Sequence, residues 1–334
     1  MEPALAPLPA APRGLAALRE PVEGDLKVFR RYFRDAMRSR VRLLDVVTQY
    51  VLRQKGKEIR PTLVLLSARL CGGVTPASYR GAALVELLHT ATLVHDDVVD
   101  EAERRRGAFS INALWKNKVA VLLGDFLLSR GLLLALDARD YELLHVVSDA
   151  VRRMSEGELL QIEKARTLDT DETSYFRIIS DKTASLIAAC MACGAVSAGA
   201  DAPTVARVKA IGERLGLAFQ IRDDLFDYDA VDVGKPLGLD LQEKKLTLPL
   251  IAALAGATEA ERRQIMRIVR KKRKSADDTA EVIAFVRRRG GLDYARTRME
   301  ALAHEAAAAL EAFPPSAARE SLIGLAAYIV TRKR

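Results

Sequence analysis

Two apolar stretches of this chain close on the same acidic pattern, and that repetition restricts the fold more than any other feature. The first, ELLHTATLVHDDVVDEAERRRG, carries Asp96, Asp97 and Asp100; the second, GLAFQIRDDLFDYD, carries Asp223, Asp224 and Asp227. On a helix, residues four apart share a face, so Asp96 and Asp100 lie one turn apart with Asp97 beside them. The second set repeats that spacing. Clustered carboxylates repel one another unless a cation lies between them. Hard oxygen ligands suit Mg²⁺, which is commonly held by one or two carboxylates together with substrate phosphates. Arg104, Arg105 and Arg106 follow the first cluster at once and offer the planar charged forks that phosphate oxygens accept. One DDxxD arises easily by chance in a chain of this composition. Two, each ending an apolar helix, point to a paired metal site between facing helices.

The remaining chain supports a helical frame. Half of it is apolar and few residues are aromatic. Ala and Leu dominate, which favours helices, and strict alternation bounded by turn signals is rare. The expected fold is all-α, a single large bundle of about 10–14 helices around a central cavity. Residues 1–24, rich in Pro and Ala, read as a loose leader, and residues 25–334 as one domain. Leu26 to Leu52 reads as one helix, Pro76 begins a long helix that runs to the first aspartates, and Glu172 to Ser197 reads as another. The segment DAVDVGKPLGLDLQEKK reads as a loop.

A formal charge of +8 is compatible with nucleic acid, an anionic membrane or a phosphorylated substrate, and alone selects none of them. Three cysteines without a secretion signal imply a reducing compartment, so a cytoplasmic location is expected. Cys190 and Cys193 form a CxxC in an alanine-rich helical run, and with no second ligand pair they read as buried small residues. Lys118 to Leu136 is very apolar, but Asp125 and Arg130 interrupt it and argue against a membrane span. Asp277, Asp278 and Glu281 copy the acidic spacing but follow RKKRKSA and open a new helix. There Ser275 is a cap and the acids favour the dipole's positive end.

With both clusters in view, the sequence resembles the trans-isoprenyl diphosphate (polyprenyl) synthases, and most of all their bacterial long-chain members, with octaprenyl products. Ordered blocks carry the resemblance from about residue 25 to the C-terminus: GKEIRP, HTATLVHDDVVD, RRG, VAVLLGDFLLSR, EGELLQ, KTA, FQIRDDLFD, GKPLGLDL, KLTLPLI and a basic C-terminus. It implies the isoprenoid synthase fold and condensation of isopentenyl diphosphate with an allylic diphosphate such as farnesyl diphosphate. It further implies that Asp96, Asp97, Asp100, Asp223, Asp224 and Asp227 hold two or three Mg²⁺ ions against the allylic diphosphate. Arg105, Lys182, Thr183, Gln220, Lys235 and Lys245 match the family's contacts to that diphosphate, with Lys182 at the reacting end. Lys57, Arg60, His89 and Arg106 match its isopentenyl diphosphate site. Arg104 lacks such support and reads as a surface charge; His95 lacks it too and reads as structural.

Three departures stand out. Lys55, Lys116 and Lys244 occupy places where the family usually has glycine; if those positions need positive φ, each lysine costs about 1 kcal/mol. Small residues before the first cluster, Ala91 and Thr92, leave room for a growing tail and a long product, about C35–C50, since a bulky group there stops the tail by exclusion, and within that range the resemblance implies about C40, for quinone side chains. The tunnel floor is expected near Leu127 to Leu134. The resemblance also implies a homodimer, no nucleic acid, and at most a peripheral membrane contact for product release. Other readings stay open: a shorter-chain geranylgeranyl or farnesyl diphosphate synthase, a terpene cyclase, a binding module using RKKRK, or a non-catalytic subunit. The last should have lost its aspartates.

Overall fold

The computed structural model of the chain describes residues 8–9, 14–54, 56–105, 107–228 and 238–332. After α1 (Leu15–Arg19) and a 3₁₀ turn (Glu20–Val22) come α2 (Glu23–Ala36), α3 (Arg42–Arg53), α4 (Ile59–Leu70) and α5 (Pro76–Val99). A two-residue antiparallel ribbon, β1 (Arg104–Arg105) with β2 (Ala108–Phe109), leads to α6 (Ile111–Asp137) and α7 (Tyr141–Thr167). α8 (Glu172–Ile179) passes through a π-helical turn, Ser180–Ala184, into α9 (Ser185–Ser197), followed by α10 (Ala202–Phe226). The rest is α11 (Leu239–Gln242), α12 (Leu248–Ala255), α13 (Glu259–Arg270), α14 (Ala276–Arg288), α15 (Gly291–Glu311) and α16 (Ala317–Thr331). Among the described residues the fold is all-α apart from that ribbon.

Local chemistry sets most of the boundaries. Asp171, Asp201 and Ser275 accept a backbone N–H three residues on and so cap α8, α10 and α14. Pro76, Pro203 and Pro249 sit in first turns, where a missing N–H costs nothing. The Asp277–Asp278 pair belongs to a capping box with Ser275, and Asp278 also takes a 2.6 Å ion pair from Lys271. That acidic copy is a helix start, as expected.

Helix α9 runs through the centre. Ala188, Ala189, Cys190, Met191, Ala192 and Cys193 are all at most 1% exposed. Small side chains let α4, α7 and α10 pack closely around it. Burial pushes the Cys190 thiol up to about 12, so the CxxC is a pair of inert core residues.

Two boundaries differ from the sequence reading. The leader does not run to residue 24: Leu18 and Val22 are buried in the main core, because α1 and the turn after it lay apolar side chains against the rest of the bundle. Leu26 to Leu52 is two helices, broken at Met37–Val41, where Met37 is 1% exposed and packs with Val47 in a second core cluster. Packing, not a breaker residue, sets that break.

Two of the lysines in glycine places adopt positive φ. Lys116 sits at φ 71°, ψ 161°, a kink inside α6, and Lys244 at φ 61°; Lys55 lies outside the described residues. The Lys116 conformation belongs to a region populated essentially by glycine. Lys116→Gly and Lys244→Gly should each raise stability by about 1 kcal/mol, whereas Lys116→Ala should not. Denaturant unfolding of the three variants checks this, and destabilisation by either glycine would contradict it.

Candidate active site

The first wall is the C-terminal end of α5. Helix carbonyls concentrate negative charge there, so acids at this end are unfavourable for the helix itself, unlike the acids that open α14. Asp97 is 3% exposed and accepts a 2.6 Å bond from Arg105 Nε, which the ribbon presents. Asp96 and Asp100 are exposed, and Asp96 borders the large cavity. Partial enclosure, then Glu158 and Asp100, hold the Asp96 carboxyl above its ordinary value, while Arg105 and Lys182 oppose them. Arg104 lies over the Phe109 ring at 4.9 Å and is exposed, as its lack of a motif role suggested.

The second wall is the C-terminal end of α10. Asp224 is 5% exposed; it accepts 2.7 Å from the Tyr175 hydroxyl and 2.8 Å from Gln220 Nε2. Thr183 Oγ1 donates in turn to Gln220 Oε1 at 2.9 Å, which fixes the amide's orientation. Burial, and then Asp240, push the Asp224 carboxyl up to about 7 against those two donors. Asp227 caps α10 and accepts the backbone N–H groups of Leu239 and Asp240 at 3.0 and 3.2 Å; burial still raises it. Asp240 itself is raised to about 6 by burial and by Asp227. Asp223 pairs with the guanidinium of Arg332, which stacks on Phe219 at 4.1 Å and Phe226 at 5.3 Å.

Between the walls lies the π turn, which carries Lys182 and Thr183. Lys182 Nζ reaches Glu158 Oε2 at 2.5 Å and Gln161 Oε1 at 3.3 Å. The turn is held from both sides: Arg153 of α7 bonds Asp181 and Ser180, and Ser180 Oγ donates to Glu213 of α10 at 2.6 Å. Two glycines make the approach possible. A Cβ on Gly157 would lie 2.7 Å from the Lys182 nitrogen, and one on Gly216 would lie 2.5 Å from the Ala184 Cα. π turns widen a helix and frequently occur at functional sites.

Two cavities meet at this turn. One of about 710 Å³ is lined by Lys57, Arg60, His89, Thr92, Asp96, Glu158, Lys182 and Thr183 at its polar end. Met154, Leu159, Ile162, Leu186, Leu215 and Phe219 supply apolar wall. The other, about 110 Å³, is lined by Gln161, Lys182, Thr183, Gln220, Asp224, Asp240 and Lys245. Lys182 and Thr183 border both, so both aspartate walls address one centre. Arg105, Asp97 and His89 border a third space, of about 470 Å³, on the α2 side of α5. Arg106 and Lys235 lie outside the described residues.

Ala91 is not on the wall of the large cavity. It is 3% exposed and packs in the α5–α6 core with Leu87, Val94, Leu123 and Leu127. Leu127, in the same cluster, does not border the large cavity either; its apolar wall comes from α4, α5, α7, α9, α10 and α16. Thr92, one position on, does border the cavity.

The donor set fits hard divalent cations. Among the described residues no three acidic, histidine or cysteine side chains converge to chelate an ion unaided. Instead carboxylates with raised proton affinity stand on two facing walls, an arrangement suited to ions that take few protein ligands and complete their shell with phosphate oxygens and water.

The Polyprenyl synthetase family profile matches residues 41–286. The chain belongs to this family. Octaprenyl diphosphate synthase of Escherichia coli (strain K12) is 38% identical over 302 residues, covering 90% of this chain and 93% of that one. A decaprenyl diphosphate synthase structure from Rhodobacter capsulatus superposes with a TM-score of 0.90 at 37% identity, covering 96% and 100% of the two chains. A polyprenyl synthase structure from Caulobacter crescentus CB15, complexed with calcium and isoprenyl diphosphate, superposes at 0.87 with 34% identity, covering 98% and 100%. The chain is thus a prenyltransferase of the trans-prenyl diphosphate synthase family, with its isoprenoid synthase fold.

Site residues that the sequence did not single out are Tyr175, Asp240 and Glu158. Tyr175 lies 49 residues from the carboxylate it serves, and no local spacing marks it. Asp240 stood in a quoted block, GLDL, five residues from Lys235, and could have been singled out as the remaining acid there.

The raised carboxyls set a pH dependence. In the metal-free protein, Asp224 and Asp240 hold protons between about pH 4 and pH 7 that the unfolded chain has released, so their contribution to stability falls as pH rises through that window. The stability of wild type relative to Asp224→Asn should therefore fall from about pH 5 to about pH 8. Mg²⁺ should stabilise wild type increasingly over the same interval as it displaces those protons. Thermal unfolding with and without Mg²⁺ checks both; a flat difference and a pH-independent metal effect would contradict them.

Proposed function

We propose that this chain is a Mg²⁺-dependent synthase that extends an allylic diphosphate such as farnesyl diphosphate with isopentenyl diphosphate to a long product of about C40, since a tail stops only where packing leaves it no room. One observation carries the reading: two aspartate walls address the same Lys182–Thr183 turn at the polar end of a large apolar-walled cavity. The reaction must stabilise charge on a departing diphosphate while water is kept from the carbocation. Bound Mg²⁺, two or three ions, supplies the electrophilic clamp. The protein's own part is orientation. Lys182 and Thr183 meet the allylic diphosphate from the π turn, Gln220 fixes Thr183 to Asp224, and Lys245, with Arg105 and Lys235, adds cationic contacts. Lys57, Arg60, His89 and Arg106 receive the isopentenyl diphosphate. The apolar walls of α4, α5, α7, α9, α10 and α16 exclude water from the tail.

Long chain length is supported by the relatives that make octaprenyl and decaprenyl products and by the small Thr92 on the cavity wall. A terpene cyclase is disfavoured by the second all-aspartate cluster and by an intact isopentenyl set. A quinone side chain made in the cytoplasm is the use we infer for the product. We also infer a homodimer. Helix α6 is long and apolar enough to cross a membrane by length and composition, yet Arg130 Nε bonds Ala36 O at 2.9 Å within the bundle. Its outer face exposes Leu114, Val121, Leu122, Leu133 and Leu136, an apolar strip that a second copy can cover. Light scattering should give twice the chain mass, and Leu122→Glu with Leu133→Glu should halve it.

Incubation with farnesyl and isopentenyl diphosphates, followed by chromatography of the products, tests the activity. Elongation that needs Mg²⁺ and stops near C40 is expected, and Thr92→Phe should shorten the product. Metal-independent turnover or absence of elongation would refute the reading; an unchanged length in Thr92→Phe would refute the role of this wall.

A further inference from the structure

The chain's positive charge is not spread evenly. Residues 259–289 hold eleven Lys or Arg against five Asp or Glu, a net +6 of the chain's formal +8. Some of these cations are spent internally. Lys271 pairs with Asp278, Arg288 and Arg289 pair with Glu261, Arg262 donates to Leu254 O, and Arg287 donates to Tyr228 O. Lys274 is 8% exposed and bonds Lys271 O. Arg263, Arg267 and Arg270 are different. They recur at three- and four-residue steps and so form one stripe along α13. All three are exposed, and none has an acid within ion-pair distance among the described residues. Ile265, Ile268 and Val269 anchor the opposite face in the core, so the stripe cannot turn inward. Lys272 and Arg273, also exposed, extend it past the helix end.

The stripe is tied to the diphosphate end of the bundle. The backbone of Lys274 exchanges two hydrogen bonds with the Gln242 side chain, N to Oε1 at 3.2 Å and Nε2 to O at 3.1 Å. Gln242 ends α11, whose first amides hold Asp227 of the second aspartate wall. The C-terminal end of the cationic ridge is therefore linked through α11 to the second aspartate wall.

We propose that the stripe Arg263–Arg267–Arg270, with Lys272 and Arg273, is a docking surface for an anionic lipid bilayer. Its chemistry narrows the partner. No residue of the ridge lines any of the cavities described above. Its one aromatic, Phe285, is 2% exposed, so nothing can stack on nucleic acid bases. Its exposed face lacks the large apolar or aromatic anchors on which protein interfaces depend. What remains is a row of exposed, permanently charged cations, suited to a sheet of anionic headgroups. The inference uses the family's lipid diphosphate product, not its length. Docking would hold the protein against the phase into which such a product partitions.

Sedimentation of the full-length protein with phosphatidylcholine vesicles, with and without an equal part of phosphatidylglycerol, tests the proposal. Binding should require phosphatidylglycerol and weaken with salt. Arg263→Gln with Arg267→Gln and Arg270→Gln should weaken it about fivefold per arginine removed, with elongation in detergent unchanged. A charge-matched variant on α2 and just beyond it, Lys27→Gln with Arg31→Gln and Arg38→Gln, should bind vesicles as wild type does. Should the triple variant on α13 lose helicity, the single variants are read instead, each expected about fivefold weaker. Equal binding to neutral vesicles, no binding at low salt, equal loss in the two triple variants, or tighter binding to duplex DNA than to anionic vesicles would overturn it. Because vesicle binding is read apart from turnover, a failed elongation assay leaves this result independent.

Discussion

Carboxylates placed at the C-terminal ends of two apolar helices face the helix dipole, one another, and a dry surrounding, all unfavourable to their charge. Asp96, Asp97 and Asp100 end α5 as Asp223, Asp224 and Asp227 end α10. The neighbouring architecture supplies counter-groups. Arg105 reaches Asp97 from the ribbon, Tyr175 and Gln220 bond Asp224 from α8 and α10, and α11 offers its amides to Asp227. Arg332 folds its guanidinium onto Asp223 between two phenylalanine rings. The compensation is partial, and the Asp224 carboxyl remains near 7. That residual repulsion is what a divalent cation held by these aspartates would relieve.

The π turn gives that charge arrangement its geometry. A regular α-helical turn would place Lys182 and Thr183 differently along the rod. Here Arg153 and Glu213 brace the turn from α7 and α10, and Gly157 and Gly216 let those helices come close. Lys182 can then address Glu158 and the first wall while Thr183 addresses Gln220 and the second. Long-range packing thus sets the position of a lysine that belongs to a three-residue motif.

Much of this was legible in the sequence because it depends on local pattern. The long helix from Pro76 to the aspartates, the decoy acids capped by Ser275, the inert CxxC and the positive φ of Lys116 and Lys244 each follow from spacing or from a residue type in its motif. What was missed depends on tertiary contact. The π turn has no composition of its own, Tyr175 meets Asp224 only because α8 packs beside α10, and Leu18 and Val22 join the core through neighbours distant in sequence. Ala91 shows the limit most clearly. Counting back from Asp96 chooses the right turn of α5, but the rotation of the helix turns Ala91 to α6 and Thr92 to the cavity.

The central claim is that the two aspartate walls act as one metal-dependent diphosphate clamp. Isothermal titration of wild type, Asp96→Ala and Asp223→Ala with an unreactive allylic thiodiphosphate, with and without Mg²⁺, measures it directly. The account predicts metal-dependent binding in wild type and a loss of about a hundredfold or more in each variant, with helix content unchanged. Full metal-dependent affinity in either variant would contradict it.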